Sequence, residues 1–490
     1  MKKAYILILA ALASLVTVSC EKWLDVNPAD EVTEEDLFKV GTGYRNALNG
    51  VFKTLSSSSL YGRELTWGMA DVLGQCYDSY EFGSGHVYKD FSSFDYTTDN
   101  AKSTISSFWS EAYNAIANCN NIIGRIEQEP DAKFKGGKLE REMILGEALA
   151  LRGFIHFVVL SYFAPAPVKG DTRNWIAYYE KFPSTGEPYL PVDEVLERVI
   201  RDLKRAYTLV EPFDTYRSVD GTEDHTKWLQ SSFRFYAKSG SGEAAQDPFY
   251  AYRGYRMSIA AISALLARVY SYAGDNDLAA VEAQRVIDMN YDDWKYFDFT
   301  GVGDVAGDYK MCKDLIFALS DVNLIKNYET YASSTSLEFV MGWDYDNLYD
   351  SESDYRKTIL LSKDGYYYKP KRYTTPAASG SSETLDILPV IRLSEMYYIL
   401  AEKYAAEGDY TNATAMFEAV RKGRGCGANM LEGLITDQES FVEQLLLEAR
   451  REFTEEGRIF YYHKKYDSKF SRSMKDEAFY FPLPENETVN

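Results

Sequence analysis

One feature limits the fold of this chain more than any other: a helix-turn-helix pattern is written in it twice. Leu266, Ala267, Tyr270, Gly274, Asp275, Ala279 and Val286 recur as Leu400, Ala401, Tyr404, Gly408, Asp409, Ala413 and Val420, each pair 134 residues apart. In both copies Leu-Ala and a Tyr three residues beyond share one helix face, a Gly-Asp turn follows, and an Ala stands where a second helix must cross the first. Apolar coincidences arise readily between two helices. A shared Gly-Asp turn is harder to come by, because it fixes where one helix stops and the next starts.

Small residues at a crossing let two backbones approach, and this is the spacing of the tetratricopeptide helix hairpin. Phe417 supplies the expected aromatic in the second copy, where the first has Ala283. The same period runs through other segments. Phe108, Ala112, Ala115, Ile116, Cys119, Ile122, Ile123 and Ile126 recur at spacings of three and four, which predicts a helix over 108–126 with one buried face. Gly146 to Phe163 is apolar nearly all round and predicts a central, buried helix, stopped by Ala164-Pro165-Ala166-Pro167. Val192 to Leu209 predicts an amphipathic helix with Asp193 and Glu194 in its first turn, at the positive end of the macrodipole. The fold class is therefore all-α.

Between the helical blocks lie long irregular stretches, 60–103, 170–189, 213–255, 291–313 and 322–386. Loops of this length are uncommon in compact domains unless they bind something or are disordered. These are rich in Tyr, Trp, Phe and Gly, a poor composition for disorder. They are expected to pack on the helices and to form surface sites.

The N-terminus carries an address. Lys2 and Lys3 precede an apolar run from Ala4 to Val18, a charged region followed by a hydrophobic one. The run is too short for a mature spanning helix, which needs roughly 20 residues, and no later stretch is expected to cross a membrane. It ends in Thr17-Val18-Ser19-Cys20, which resembles the lipobox of a lipoprotein signal. Residues 1–19 are expected to be a signal peptide and Cys20 the lipidated residue. An acyl chain anchors by burying methylenes and does not span.

Charge and composition narrow the function. The 53 Lys and Arg against 74 Asp and Glu give a formal net charge of −21. A surface this acidic repels phosphate backbones and anionic lipid, which argues against nucleic acid and against basic-patch membrane docking. Tyrosine is abundant, 40 residues; its apolar ring and polar tip suit faces that are half dry and half wet, although helical cores use it too. Cys76, Cys119, Cys312 and Cys426 are widely separated, with no C-x-x-C; three pairings or four isolated thiols are open.

Catalytic motifs are missing. His86, His156, His225 and His463 form no close pair, so no zinc site is expected, and His156 on the buried helix reads as a core residue. There is no G-x-S-x-G elbow and no P-loop. Asp344, Asp346, Asp350, Glu352 and Asp354 are oxygen-rich but lack the central Gly of an EF-hand loop, and read as a solvated acidic loop. The Arg and Glu of 448–458 are expected to lie on one helix and cross-brace its neighbours. Neither catalytic residues, a metal nor a cofactor is expected. The separation of paired carboxylates is a three-dimensional quantity, so a lipid-anchored glycan hydrolase stays open as an alternative. So does a peptide-binding scaffold.

Sugar capture needs flat aromatic faces and planar polar partners. Trp67, Asp71, Gln75, Tyr77, Tyr80 and Phe82 offer both within a short span, and Asn323, Tyr328, Tyr331 and Trp343 form a second supply. All of these except Phe82 are the candidate ligand-binding residues.

Several segments resemble the RagB/SusD family of surface lipoproteins. They include Cys20-Glu-Lys-Trp-Leu-Asp-Val-Asn-Pro28, Gly146-Glu-Ala-Leu-Ala-Leu-Arg-Gly-Phe-Ile-His-Phe157 with Tyr162-Phe163 and its prolines, and Ala264 to Tyr270. Val390 to Glu402, similar to a repeat helix of the family, Arg421 to Arg424, Glu448 to Phe460 and Phe481-Pro-Leu-Pro484 continue the series in the right order. Gly425 stands where the family usually has Ala, and His463-Lys464-Lys465-Tyr466 where it often has L-K-R-W. The resemblance implies about four tetratricopeptide-like helix pairs, with ligand contacts from loops in the two candidate regions. It implies capture of a nutrient, commonly a glycan, at the outer membrane and delivery to a SusC-like TonB-dependent transporter. The implied organisation is a tether over 20–40, an N-terminal region over 41–255 and a C-terminal region over 256–490, packed into one body.

Overall fold

The computed structural model describes residues 33–83, 85–230, 233–235, 245, 247–332, 339–342, 344–376 and 384–487. Cys20 and the expected signal segment lie outside them. Helices of seven residues or more are α1 (Gly41–Leu55), α2 (Asp99–Ile126), α3 (Gly137–Phe163), α4 (Val192–Asp214), α5 (Ile259–Ala273), α6 (Asn276–Asp288), α7 (Leu324–Ala332), α8 (Leu393–Ala406), α9 (Tyr410–Gly423), α10 (Gln438–Glu452) and α11 (Ile459–Lys465). Strands of four residues or more are β1 (Leu315–Ser320), β2 (Leu361–Asp364), β3 (Tyr367–Pro370) and β4 (Ile387–Arg392). They form two antiparallel ribbons, β1 with β4 and β2 with β3. The scaffold is tetratricopeptide-like: α2, α3 and α4 pack in succession, α4 leads to α5, and α5, α6, α8 and α9 continue the stack.

The repeated pattern folds as its residues dictate. Gly274 and Gly408 end α5 and α8 with φ of 88° and 78°, a left-handed backbone that L side chains rarely adopt. Asp275 and Asp409 then cap α6 and α9, their carboxylates accepting from Leu278 N–H and Asn412 N–H. Even the closing bonds coincide, Asp275 N–H to Tyr270 carbonyl and Asp409 N–H to Tyr404 carbonyl, each 2.9 Å. Ala279 and Ala413 are fully buried at the crossings.

α3 is the central helix. By length and hydropathy it passes for a membrane span, contrary to the sequence expectation that no such stretch follows the signal, but its apolar window lies wholly inside the protein. The α3–α4 crossing is close: a Cβ on Gly146 would stand 2.7 Å from Val210 Cγ2 and 3.0 Å from the Ala206 carbonyl. Its buried charged residues and His156 are engaged. Glu147 receives Arg253 at 2.6 Å and Arg256 at 2.8 Å, and Arg152 reaches Asp202 at 2.7 Å. His156 contacts the Arg152 carbonyl through Nδ1 at 2.8 Å and accepts the Tyr179 N–H at Nε2, 3.1 Å. α2 and α3 each start nine residues earlier than the predicted 108 and 146, and α4 runs on to Asp214. Cys76, Cys119, Cys312 and Cys426 are buried free thiols.

Two expectations change. Val390 to Arg392 belongs to strand β4, so the repeat helix begins only at Leu393. The 448–458 block is not one helix: α10 ends at Glu452, and Glu455 and Gly457 adopt φ of 68° and 67° in a turn before α11. The bracing role holds in this geometry. Arg421 and Arg451 share Glu448 at 2.8 and 2.7 Å, Arg356 meets Glu452 at 3.0 Å, Arg424 bridges Glu452 and Asp314, and Arg392 clasps Glu456. Burial alone would raise the Glu452 carboxyl; the Arg424 and Arg356 guanidiniums hold it well below the usual range.

Candidate functional site

The 453–457 turn is the foundation on which the candidate loops rest. Asp71, fully buried, accepts the backbone N–H groups of Glu455 and of Gly457, the latter at 2.8 Å. A Cβ at Gly457 would come 2.1 Å from the Leu65 carbonyl, so only glycine lets the loop lie against this turn. Desolvation pushes the Asp71 carboxyl well above its ordinary value, against its two backbone donors. The same burial raises Glu455 to about 7 and lowers Lys310 to about 7. The Lys310 ammonium lies 3.8 Å over the Tyr373 ring.

Above this base the predicted rings close on one another. Trp67 is 0% exposed, edge-on to Tyr328 at 5.2 Å and to Tyr331 at 5.5 Å. Tyr77 is buried; its hydroxyl donates to the Trp67 carbonyl at 2.9 Å and its ring lies 4.5 Å from Phe339. Phe82 stacks on His86 with centroids 3.8 Å apart. Tyr328 is buried between Trp67 and Tyr373. Trp67, Asp71, Tyr77 and Tyr328, all named as ligand contacts from the sequence, are thus buried within the loop packing and present no open face to solvent here. Gln75 sits in a left-handed turn, φ 54°, and its amide donates to the Val72 and Ser92 carbonyls at 3.2 and 3.1 Å, which also makes it a brace.

The remaining candidates are nearer solvent. Tyr331 is half-buried beneath the Arg63 guanidinium, 5.1 Å from its centroid. Asn323 is exposed at the start of α7, where its carbonyl accepts the Asn327 N–H at 2.8 Å. Trp343 lies outside the described residues. Among the predicted rings that are described, Tyr80 alone stands free, 94% exposed.

The structure brings Tyr80 to a partner that the sequence analysis passed over. Asp78 N–H donates to the Val340 carbonyl at 2.8 Å, and Met341 pairs with Tyr368 of β3. The 78–82 loop thus docks on the β2–β3 hairpin, and the Tyr367 hydroxyl donates to Glu81 at 2.5 Å. Gly365 occupies the first central position of the hairpin turn with φ 61°, where type II′ turns place glycine. Tyr366 follows, 83% exposed. Two bare tyrosine rings thus stand on loops joined through Glu81 and Tyr367, side-chain types suited to stacking and to accepting hydroxyl hydrogen bonds. The missed signal was the Asp364-Gly365 dipeptide inside a stretch read as irregular.

The acidic run is engaged in ion pairs. Asp344 pairs with Arg450, Asp346 with Lys363 at 2.9 Å, Asp350 with Arg421 and Arg451, and Asp354 with Arg356 at 2.7 Å. Asp346, Asp350 and Glu352 are exposed, as a solvated acidic loop requires, whereas Asp354 is buried. Among the described residues no three His, Cys, Asp or Glu side chains are grouped to hold a metal.

Comparison with known proteins gives the lineage of this arrangement. A family profile described as starch-binding and associating with the outer membrane matches residues 22–223, and the SusD family profile matches 234–467. The chain is 23% identical to the SusD-like protein P2 of Formosa agariphila over 92% of this chain and 88% of that one. Its fold matches a SusD-like carbohydrate binding protein from Bacteroides vulgatus with a TM-score of 0.66 at 19% identity, covering 88% of this chain and 84% of that one. A SusD superfamily protein from Bacteroides thetaiotaomicron gives a TM-score of 0.67 at 18% identity, covering 92% and 97%. The two profiles together span most of the sequence in order, on a helical scaffold of matching fold, and the chain belongs to the SusD/RagB family.

Proposed function

We propose that this protein is a cell-surface lipoprotein that grips a glycan at the Tyr80–Tyr366 face and passes it, chemically unchanged, to a TonB-dependent transporter. The observation that carries the reading is the pair of solvent-facing tyrosines on two loops joined through Glu81 and Tyr367. Pyranose rings present an apolar face to such side chains and a hydroxyl edge to carboxylates. The family profile described as starch-binding and associating with the outer membrane supports both the ligand class and the location. So does the relative from Bacteroides vulgatus, itself described as carbohydrate binding. Cys20 would carry the anchor.

Calorimetry of the mature protein against plant, host and microbial polysaccharides tests the reading, with chromatography of the same mixtures for products. At least one glycan is expected to bind and to come back intact. Steady release of shorter sugars would replace capture by hydrolysis. Cys20→Ala is expected to shift the protein from the membrane fraction to the soluble one.

A further inference from the structure

A concavity of about 320 Å³ opens between α2 and the segment that follows Tyr178. Its walls are the rings of Tyr113 and Tyr179, 5.5 Å apart and nearly perpendicular at 86°, with Trp109 4.6 Å from Tyr113. None of these belongs to the loops that carry Tyr80 and Tyr366. Asn100, near the start of α2, donates to the Val87 carbonyl, and Trp109 lies roughly 14 Å further along the helix at 1.5 Å per residue.

The corner is held in shape from beneath. Tyr179 donates its N–H to His156 Nε2 at 3.1 Å, and its carbonyl accepts from the Asn120 amide at 3.0 Å. His156 and Asn120 are both buried, and Asn120 is held by Arg152 at 3.0 Å. The Tyr113 hydroxyl donates to the Ala177 carbonyl at 3.1 Å. The two rings are thus fixed before anything binds, so ordering them costs a ligand little. At the mouth, Tyr189 donates to Glu487 Oε2 at 3.2 Å, which leaves Oε1 to accept, and Lys181 stands exposed on the rim.

We propose that this corner is a second carbohydrate contact, taking a single pyranose residue. Its volume is at the small end for ligand pockets, about 300 Å³ and upward, which suits one or two rings better than a chain. Perpendicular aromatic walls meet an apolar ring face and its edge, while Glu487 and Lys181 offer an acceptor and a donor to hydroxyls. The choice of sugar rests on the glycan-binding reading; the site itself stands on different residues.

The test uses the whole mature protein and methyl glycosides of glucose, galactose, mannose, xylose and N-acetylglucosamine, followed by ligand-observed NMR and calorimetry. Ser184→Trp fills the corner from an exposed loop, and Tyr179→Ala removes one wall while keeping its backbone bonds. At least one glycoside should bind, and each variant should weaken it by about tenfold or more, the factor that 1.4 kcal/mol of lost contact gives. Should Ser184→Trp unfold the protein, Tyr179→Ala alone decides. The inference is overturned if no glycoside binds, or if the folded variants bind as well as the parent. It is equally overturned if Tyr80→Ala abolishes glycoside binding, which would put the sugar on the first face. Glycoside binding lost in Ser184→Trp, with no polysaccharide bound at Tyr80, would sustain the corner and remove the first face.

Discussion

Gly457 donates its backbone N–H to the Asp71 carboxylate at 2.8 Å, and this bond ties the N-terminal loop to the C-terminal turn that supports it. Asp71→Ala orphans two buried N–H groups, each costing about 1–3 kcal/mol. Asp71→Asn keeps an acceptor oxygen and should cost less. Urea midpoints should fall in the order wild type, Asn, Ala; an Ala midpoint equal to wild type would contradict the role.

That relationship also shows what a sequence yields. The Gly-Asp turns, the α2 stripe and the all-apolar α3 were legible because helix period and capping chemistry are local. The exposure of each ring was not. Trp67 and Tyr80 lie 13 residues apart in one aromatic loop, and nothing local distinguishes the sealed ring from the bare one. The difference comes from Tyr328 of α7 and Phe339, which arrive from 261 and 272 residues further along the chain to cover Trp67 and leave Tyr80 alone. Likewise the 448–458 block reads as one helix until the left-handed Glu455 and Gly457 are seen to serve Asp71.

His156 gives an acid-side prediction. Desolvation holds it down at about 3, and its Nε2 must stay unprotonated to accept the Tyr179 N–H. The unfolded ring titrates near its ordinary 6.5. The unfolded chain therefore binds more protons between these values, so the stability His156 contributes is complete above 6.5 and is lost as pH falls toward 3. Burial lowers His463 to about 4, with the same sign. His156→Gln should lose less stability than wild type between pH 6.5 and 4, measured by urea unfolding; parallel pH curves would contradict this.

Glu455 and Lys310 act with signs opposite to one another. Burial raises Glu455 from 4.5 to about 7, so the folded state holds its proton where the unfolded state has released it, and this contribution falls as pH rises from 4.5 to 7. Lys310, lowered by burial from 10.5 to about 7, is neutral in the folded state while charged in the unfolded one, and its contribution rises from 7 to 10.5. Subtracting the Glu455→Gln curve from wild type should leave a decline confined to the first window, and Lys310→Met a rise confined to the second. A flat difference in either case would contradict the assigned burial.

The repeated turns make a simpler prediction. Gly274→Ala places a Cβ on a backbone with φ 88° in otherwise open space, so the cost is conformational, about 1–2 kcal/mol. Gly408→Ala should match it closely, because the two turns share one hydrogen-bond pattern. Thermal midpoints of the two variants check the equivalence; a large drop for one and none for the other would refute it.

The most direct measurement is the affinity and melting temperature of Tyr80→Ala/Tyr366→Ala beside Trp67→Ala, using the best-bound polysaccharide from the panel. The double variant should lose about tenfold or more in affinity, two stacking faces being worth at least 1.4 kcal/mol together, with its melting temperature unchanged. Trp67→Ala should instead melt earlier, since it empties a sealed cluster. Undiminished affinity in the double variant would contradict the account.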